Sequence, residues 1–282
     1  MKSISLHDIP SAVFHSYLLS CVAPRPIAFA STIDKQGRVN LSPFSYFNVF
    51  GVNPPTLIFS PNNGGRDNKP KHTLENVLEV DEVVINMVNY EMVEQMSLSS
   101  GQYDKGVNEF IKSGFTEEPS LLVKPPRVKE SPAQFECKVK QVIHINEGAG
   151  GAPNLVICEV VMAHFSETLL DEHGKIDTRK TDWVGRMGGN WYVRASGDAI
   201  FEVARPQKGI GFDQIPDYIK TSNVLTGNDL GKLGNVETLP SVVEAKAFQQ
   251  NVVATASEQD RHLLAKQYLK EDKIQEAWLV LL

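Results

Sequence analysis

Cysteine is scarce in this chain. Cys21, Cys137 and Cys158 are its only three in 282 residues, widely spaced and without a Cys-x-x-Cys pair. That excludes a disulfide scaffold and fits free, buried thiols in a reducing compartment. Positive charge is also short: 28 Lys and Arg face 34 Asp and Glu, for a net charge of −6 and a pI of about 5.7. The electrostatic footprint of a nucleic-acid binder is missing, although a small basic pocket for one phosphate is not excluded. No apolar run approaches the roughly 18 residues of a membrane span. The N-terminal MKSISLHDIPSAVFHSYLL lacks a basic region followed by a clean apolar stretch. The pattern reads as a cytoplasmic protein with neither a nucleic-acid nor a membrane partner. Catalytic signatures are absent too. No GxGxxG follows a strand, and there is no HExxH, no clustered His/Cys set and no GxSxG elbow. Internal repeats and low-complexity tracts are also missing.

What is present is an ordinary globular composition, 41% hydrophobic and 22% charged, long enough for a core without staples. Residues 27–33 (IAFASTI) predict a strand, Asp34-Lys35-Gln36-Gly37 a turn with Gly37 at positive φ, and residues 39–48 the returning strand. Pro54-Pro55 breaks the chain before a short buried strand, TLIFS. A polar loop, PNNGGRDNKP, leads to Thr73, which can cap the helix TLENVLEV. Residues 82–88 (EVVINMV) read as a β-branched strand. Short helices are expected at 90–98 and 107–112. Residues 134–145 and 154–165 pair across a GAGGAP turn, with Phe135, Cys137, Val139, Ile143 and Ile145 on one face. His144 and His164 fall in these strands and read as structural residues. Strands joined by turns favour a Greek-key antiparallel barrel over a doubly wound sheet. Residues 200–240 are rich in Pro, Gly and Asn and predict an irregular segment lying on the barrel. Residues 241–282 predict helices, with a capping box at Ser257 and Asp260.

Three constellations carry chemistry. Ser31, Thr32, Asn40, Ser42 and Ser45 crowd short polar side chains around one hairpin, with Pro43 shaping the backbone between them. Backbone N–H groups between Asn40 and Ser45 add further donors. The set suits a flat, polar, phosphorylated ligand such as a flavin nucleotide; it is equally what strand-end hydroxyls bonding locally would give. Arg66, Lys71 and Thr73 run into a helix start, where unpaired N–H groups and the dipole favour phosphate; a solvated loop with an ordinary cap is the other reading. Gly185 to Tyr192 (GRMGGNWY) places glycines beside Arg186, which can offset negative charge on a reduced flavin. Trp191 or Tyr192 can wall such a site, or plug a barrel end.

At these residues the chain resembles the flavin reductase-like family, the FMN-binding split-barrel proteins that include flavoredoxins. RPIAFAST, DKQGRVNLSPFSYFN, PPTLIFS, the KHT before LENV, EVVINMV, the NEF of GVNEF, KPPRVKESP and GRMGGNWY occur in the family's order. The resemblance spans residues 11–195 and leaves 196–282 as an extension, irregular and then helical. It implies a mainly β protein: a split barrel with peripheral helices, a homodimer binding FMN non-covalently. Phosphate contacts carry over to Ser31, Thr32, Lys71 and Thr73, with Arg66 beside them. Ring and ribityl contacts carry over to Asn40, Leu41, Ser42, Pro43, Ser45 and Ser60. Arg25, Asn86 and Arg186 are further carry-overs, the last approaching the flavin of the partner subunit. Many members read Lys-Asp-Thr where this chain has Lys71-His72-Thr73. An imidazole cannot duplicate a carboxylate's capping contact, so no role passes to His72.

The implied activity is an FMN-dependent oxidoreductase reduced by NADH or NADPH, with hydride passing to the flavin N5. The flavin carries the chemistry, and the protein supplies position and electrostatics. Without a dinucleotide fingerprint, NAD(P)H would be held mainly by stacking on the flavin. An FMN-binding electron carrier without nicotinamide activity uses the same residues, and a colourless ligand-binding barrel is a third reading. The acceptor can be a protein or a small molecule.

Overall fold

The computed structural model describes every residue except 66, 147–149, 207 and 253–255. It divides into two compact units, Met1–Phe201 and Glu202–Leu282, a division a few residues past the one expected at 195.

The first unit opens with α1 (Ser11–Cys21) and the strands β1 (Ala28–Ile33), β2 (Val39–Phe44), β3 (Phe47–Val52) and β4 (Pro55–Phe59). Then come α2 (His72–Glu79), β5 (Glu82–Asn86), α3 (Val93–Leu98) and α4 (Glu109–Ser113). β6 (Glu117–Glu118) and β7 (Arg127–Val128) form a small ladder. The long pair β8 (Ala133–His144) and β9 (Asn154–Phe165) precedes a second small ladder, β10 (Val184–Arg186) with β11 (Tyr192–Arg194). Seven strands make one sheet in the order β2-β1-β5-β8-β9-β4-β3, and every pairing is antiparallel. A Greek-key split barrel was expected, and the antiparallel sheet with peripheral helices is there; among the described residues no ladder joins the edge strands β2 and β3, so the sheet does not close. The predicted strand 39–48 is in fact two strands. The chain bends at Ser45 and Tyr46, and β3 crosses to the far edge to pair with β4.

The pleat sorts side chains by parity. Ala28 and Ala30 face one layer with Leu57, Phe59, Val83, Ile85, Leu74 and Val77, and their small size leaves room for α2. Phe29 and Leu41 face the other layer with Met96 of α3, Phe110 of α4, and Met92 and Phe115 from the segments flanking them. The turn forms as read, with Gly37 at φ 78°. Cys137 and Cys158 are buried, and burial pushes the Cys158 thiol up to about 12. Cys21 is exposed instead, because it ends α1, a helix with no buried residue and no counterpart among the predicted elements.

The second unit holds α5 (Asp217–Lys220), α6 (Gly227–Gly234), α7 (Val242–Val252), α8 (Glu258–Lys270) and α9 (Ile274–Leu281) around Trp278, Leu233, Ile219 and Leu269. The stretch 200–240 is therefore not irregular throughout. Thr226 and Asp229 form a capping box that starts α6 despite its glycines, and the box at Ser257 and Asp260 starts α8 as expected. No described helix is long and apolar enough to cross a membrane.

Candidate cofactor site

Register and helix start together build the first cluster. Thr32 lies opposite Asn40 across the β1–β2 hairpin, and both turn toward α2. That helix is amphipathic, with Thr73, Leu74, Asn76 and Val77 buried. Thr73 does not cap it. Lys71, with extended backbone, occupies the cap position without a side-chain bond, and Thr73 is the second helical residue, facing the sheet. The Asn40 Nδ2 donates to Thr73 Oγ1 at 2.8 Å, and the Asn76 Nδ2 donates to Thr32 Oγ1 at 3.1 Å. Lys71 stands exposed at the same helix end, where the unpaired N–H groups of the first turn gather positive potential. Among the described residues neither threonine hydroxyl has an acceptor for its own proton. The set matches an acceptor-only group in its chemistry, but both hydroxyls lie behind the surface, Thr32 at 0% and Thr73 at 1% exposure.

The second cluster is Arg25, Ser45 and Arg186. Arg25 pairs with Arg186 through the backbone, and its Nε reaches Ser45 Oγ at 3.5 Å. Its Nη1 donates to the carbonyls of Leu19 and Val22 at 2.6 and 2.7 Å, and its Nη2 to that of Met187 at 3.0 Å. Arg25 thus closes the C-terminal end of α1 and is spent on structure. Burial pulls its pKa down, Tyr46 opposes that, and Arg186 adds to it. Arg186 donates to the Gly189 carbonyl at 2.8 Å and lies 4.6 Å over the Tyr192 ring. Trp191 and Tyr192 are exposed.

The matching model is that of the flavin reductase like domain, over residues 19–180. An uncharacterized protein of Aquifex aeolicus is 38% identical over 189 residues, 67% of this chain and 93% of that protein. The chain belongs to the flavin reductase-like family. Among solved structures it is similar to nitrilotriacetate monooxygenase component B from Bacillus cereus, at 26% identity and TM-score 0.67, covering 72% of this chain and 98% of that one. It is also similar to 2-nitrobenzoate 2-nitroreductase NbaA from Pseudomonas fluorescens, at 27% identity and TM-score 0.63, covering 72% and 96%. Nearly all of each neighbour is used, so this flavin reductase-like chain carries a segment with no counterpart in either. The family match ends before the second unit begins.

The other expected contacts scatter. Ser31 neighbours Thr32 in sequence but faces the opposite layer, and its buried Oγ has no partner. Successive strand residues point to opposite faces, so these two hydroxyls cannot converge through the same side of β1. Leu41 is wholly buried, and its N–H is taken by Glu109 Oε2 at 2.9 Å. Burial raises the Glu109 carboxyl, and the Leu41 N–H works against that. Pro43 has no N–H to offer. The expected row of β2 donors is thereby reduced, and half-buried Ser42 and Pro43 present side chains instead. Ser60 donates to Asn62 at 2.6 Å and accepts from the Asn154 N–H at 3.1 Å, inside a separate asparagine-rich cluster. Asn86 is engaged at both ends, donating to the Phe29 carbonyl and accepting from the Val128 N–H, each at 2.9 Å. Arg66 lies outside the described residues.

Asn76 and Glu109 were missed by sequence reasoning. The signal for Asn76 was a polar residue on the buried face of TLENV. Glu109 sits in the quoted NEF motif, but its contact with β2 is long-range. Two cavities flank the hairpin. One, of about 430 Å³, is lined by Asp34, Glu79, Asp81 and Glu82 with Lys35 and Lys124. Those carboxylates, beside the C-terminal end of α2, repel a phosphate. The other, of about 10 Å³, touches Asn40, His72 and Asn76, room for about one water.

Proposed function

We propose that this chain is an FMN-dependent oxidoreductase of the flavin-reductase type, taking electrons from NADH or NADPH. The observation that carries the reading is the meeting of Thr32, Asn40 and Thr73 at the start of α2, with two hydroxyl protons unspent, in a chain of this family. FMN, when bound, supplies a ring that accepts hydride at N5 and releases electrons to a second acceptor. The chain's own residues bind and orient. Lys71, exposed at the start of α2, and the helix dipole would offset the phosphate charge, with Thr32 and Thr73 buried behind them. Ser42, Pro43 and Ser45 border the ribityl and ring, and Arg186 holds positive charge close to the ring edge. Nicotinamide rests against the flavin face, because the chain has no dinucleotide fingerprint to hold it separately.

The functional assembly we propose is a homodimer of split barrels in the cytoplasm. Supporting it are α1, which has no buried residue although it carries Val13, Tyr17 and Leu18, and β3, which exposes Val49, Phe50 and Val52. Apolar area of that kind is normally covered. The acceptor is a protein partner or a small molecule.

The test is the visible spectrum of freshly purified protein, identification of the released chromophore, and anaerobic addition of NADH or NADPH. Bleaching of the yellow absorbance is expected. A protein that binds FMN and is reduced by dithionite but by neither nicotinamide would be an electron carrier instead. A colourless protein that gains no FMN on incubation would end the reading.

A further inference from the structure

We infer that Ser222 and His262 form a proton-operated clasp on the connection between α5 and α6: the neutral His262 ring holds the connection, and a second proton on that ring releases it. The hydrogen-bond count carries the inference. Ser222 Oγ accepts from the N–H groups of Val224 and Leu225 at 3.1 and 3.2 Å, which fills both lone pairs of a hydroxyl. Its own proton goes to His262 Nδ1 at 2.7 Å. That nitrogen must be bare, so the neutral ring carries its proton on Nε2. An imidazolium would aim a third donor at the same oxygen and leave the Ser222 proton without an acceptor.

The surroundings of the ring do not stabilise its charged form. His262 is 4% exposed, and burial disfavours the charge. Among the described residues His164 and His173 form the histidine ion pairs; the His262 ring has none. On α8, Glu258 favours the charged ring and Arg261 opposes it. From α5, Tyr218 stands in the field of the same two charges. On α6, Asp229 is held in its capping box, and Lys232 by Asp272 and the Leu269 carbonyl. α9 buries Ala277, Trp278, Val280 and Leu281. Burial therefore keeps the ring below its ordinary 6.5, so the clasp is closed above that value and opens as pH falls. What it holds is local. Leu225 sits in the core, Thr226 begins α6, and Lys266, one turn beyond His262, bonds the Val224 carbonyl at 2.7 Å. Release frees the Val224 and Leu225 N–H groups while the packing around Trp278 stays closed.

The test is hydrogen exchange of the full chain at about one pH unit above and about one below 6.5, corrected for the intrinsic effect of pH. At the lower value the Val224 and Leu225 amides should exchange about tenfold faster, the limit for one histidine over that range. The peptide carrying Trp278 should keep its protection. Equal acceleration of both would mean that burial of His262 acts on the whole unit, and would overturn the clasp. His262→Asn sets an amide oxygen close to the Nδ1 position and does not titrate, so the Val224 and Leu225 amides should be protected equally at both values. A tenfold step that persists in that variant would sink the inference. Since shortening a buried ring can unfold the unit, the wild-type ring is also read directly. Nitrogen NMR of the full chain, labelled in histidine, should show His262 as the Nε2–H form above 6.5. An Nδ1–H form there would overturn the inference whatever the variant does. No flavin enters the experiment, so its outcome is independent of the proposed function.

Discussion

The unit ending at Phe201 buries Arg25, Thr32, Asn40, Thr73, Asn76, Asn86, Glu109 and Glu136 among its apolar residues. In the unit from Glu202 onward, His262 is the buried polar residue among those described. Both units contain ample polar side chains, but they use them differently. The second places them at helix ends. Thr226 and Ser257 close capping boxes, while Lys232 and Lys266 donate to the carbonyls of Leu269 and Val224 at 2.8 and 2.7 Å. The boxes and the Lys232 bond satisfy backbone groups that a helix leaves open, and the Lys266 bond satisfies a carbonyl in the loop before α6. The first unit takes polar side chains inside, where each unmatched group costs about 1–3 kcal/mol. A domain carries that cost where the polar groups tie elements together, as Asn86 does between β1 and β7 and as Thr32, Asn40, Thr73 and Asn76 do between the hairpin and α2. The lesson is that buried polarity separates the two units more sharply than helix ends do, and it falls in the unit that the family match covers.

The harshest way to break this contrast is to damage the second core. Trp278 is fully buried, with its Nε1 donating to the Leu233 carbonyl at 3.1 Å. Trp278→Ala should destabilise the second unit by about 3–5 kcal/mol, seen as an earlier transition in urea. FMN affinity should hold, and a parallel loss of flavin would show that binding is not confined to the first unit. Next in size is Lys71→Glu combined with Thr73→Ala. FMN affinity should fall about a hundredfold, or about 2.7 kcal/mol, with the circular dichroism unchanged. Unchanged binding would remove these residues from the phosphate site.

A smaller effect separates the units by pH. Burial holds His262 below its ordinary 6.5, with Glu258 pulling up and Arg261 down. Below that pH the unfolded chain takes a proton that the folded unit resists. The stability is complete above about 6.5 and declines as pH falls toward the folded value. Burial alone would raise Glu136, but the N–H groups of Leu121 and Leu122 and the His164 ring hold it below 4.5. Its contribution is present above that value and lost as pH falls through the folded one. Acid should therefore loosen α8 before the loop at 119–126, as read by hydrogen exchange of peptides; the reverse order would contradict the contrast. The smallest effect expected is Ser257→Ala, about 1 kcal/mol from a lost cap, confined to the second unit's transition.

Much of this was legible because it is local. The hairpin around Gly37, the β8–β9 pair and the box at Ser257 each follow from a few adjacent residues whose backbone preferences agree. Parity was also available in principle. Ser31 and Thr32 are neighbours in a strand, so their separation onto two faces needed only the period of two. Thr73 was harder: a threonine before an apolar helical run reads as a cap, yet the cap falls two residues sooner, at Lys71, and Thr73 turns inward. The break at Ser45 and Tyr46, the inward Asn76 and the reach of Glu109 to Leu41 all depend on partners far away in sequence.

The sequence by itself determined the family, the antiparallel strand pairs and the residue types around the hairpin, because periodicity, turn chemistry and ordered motifs are written along the chain. Tertiary structure alone decided which of those residues meet. Packing α2 across β1 and β2 joins Thr32, Asn40, Thr73 and Asn76, and the same packing turns Ser31 and Leu41 away, since a side chain's direction is set by the surfaces its backbone must bury.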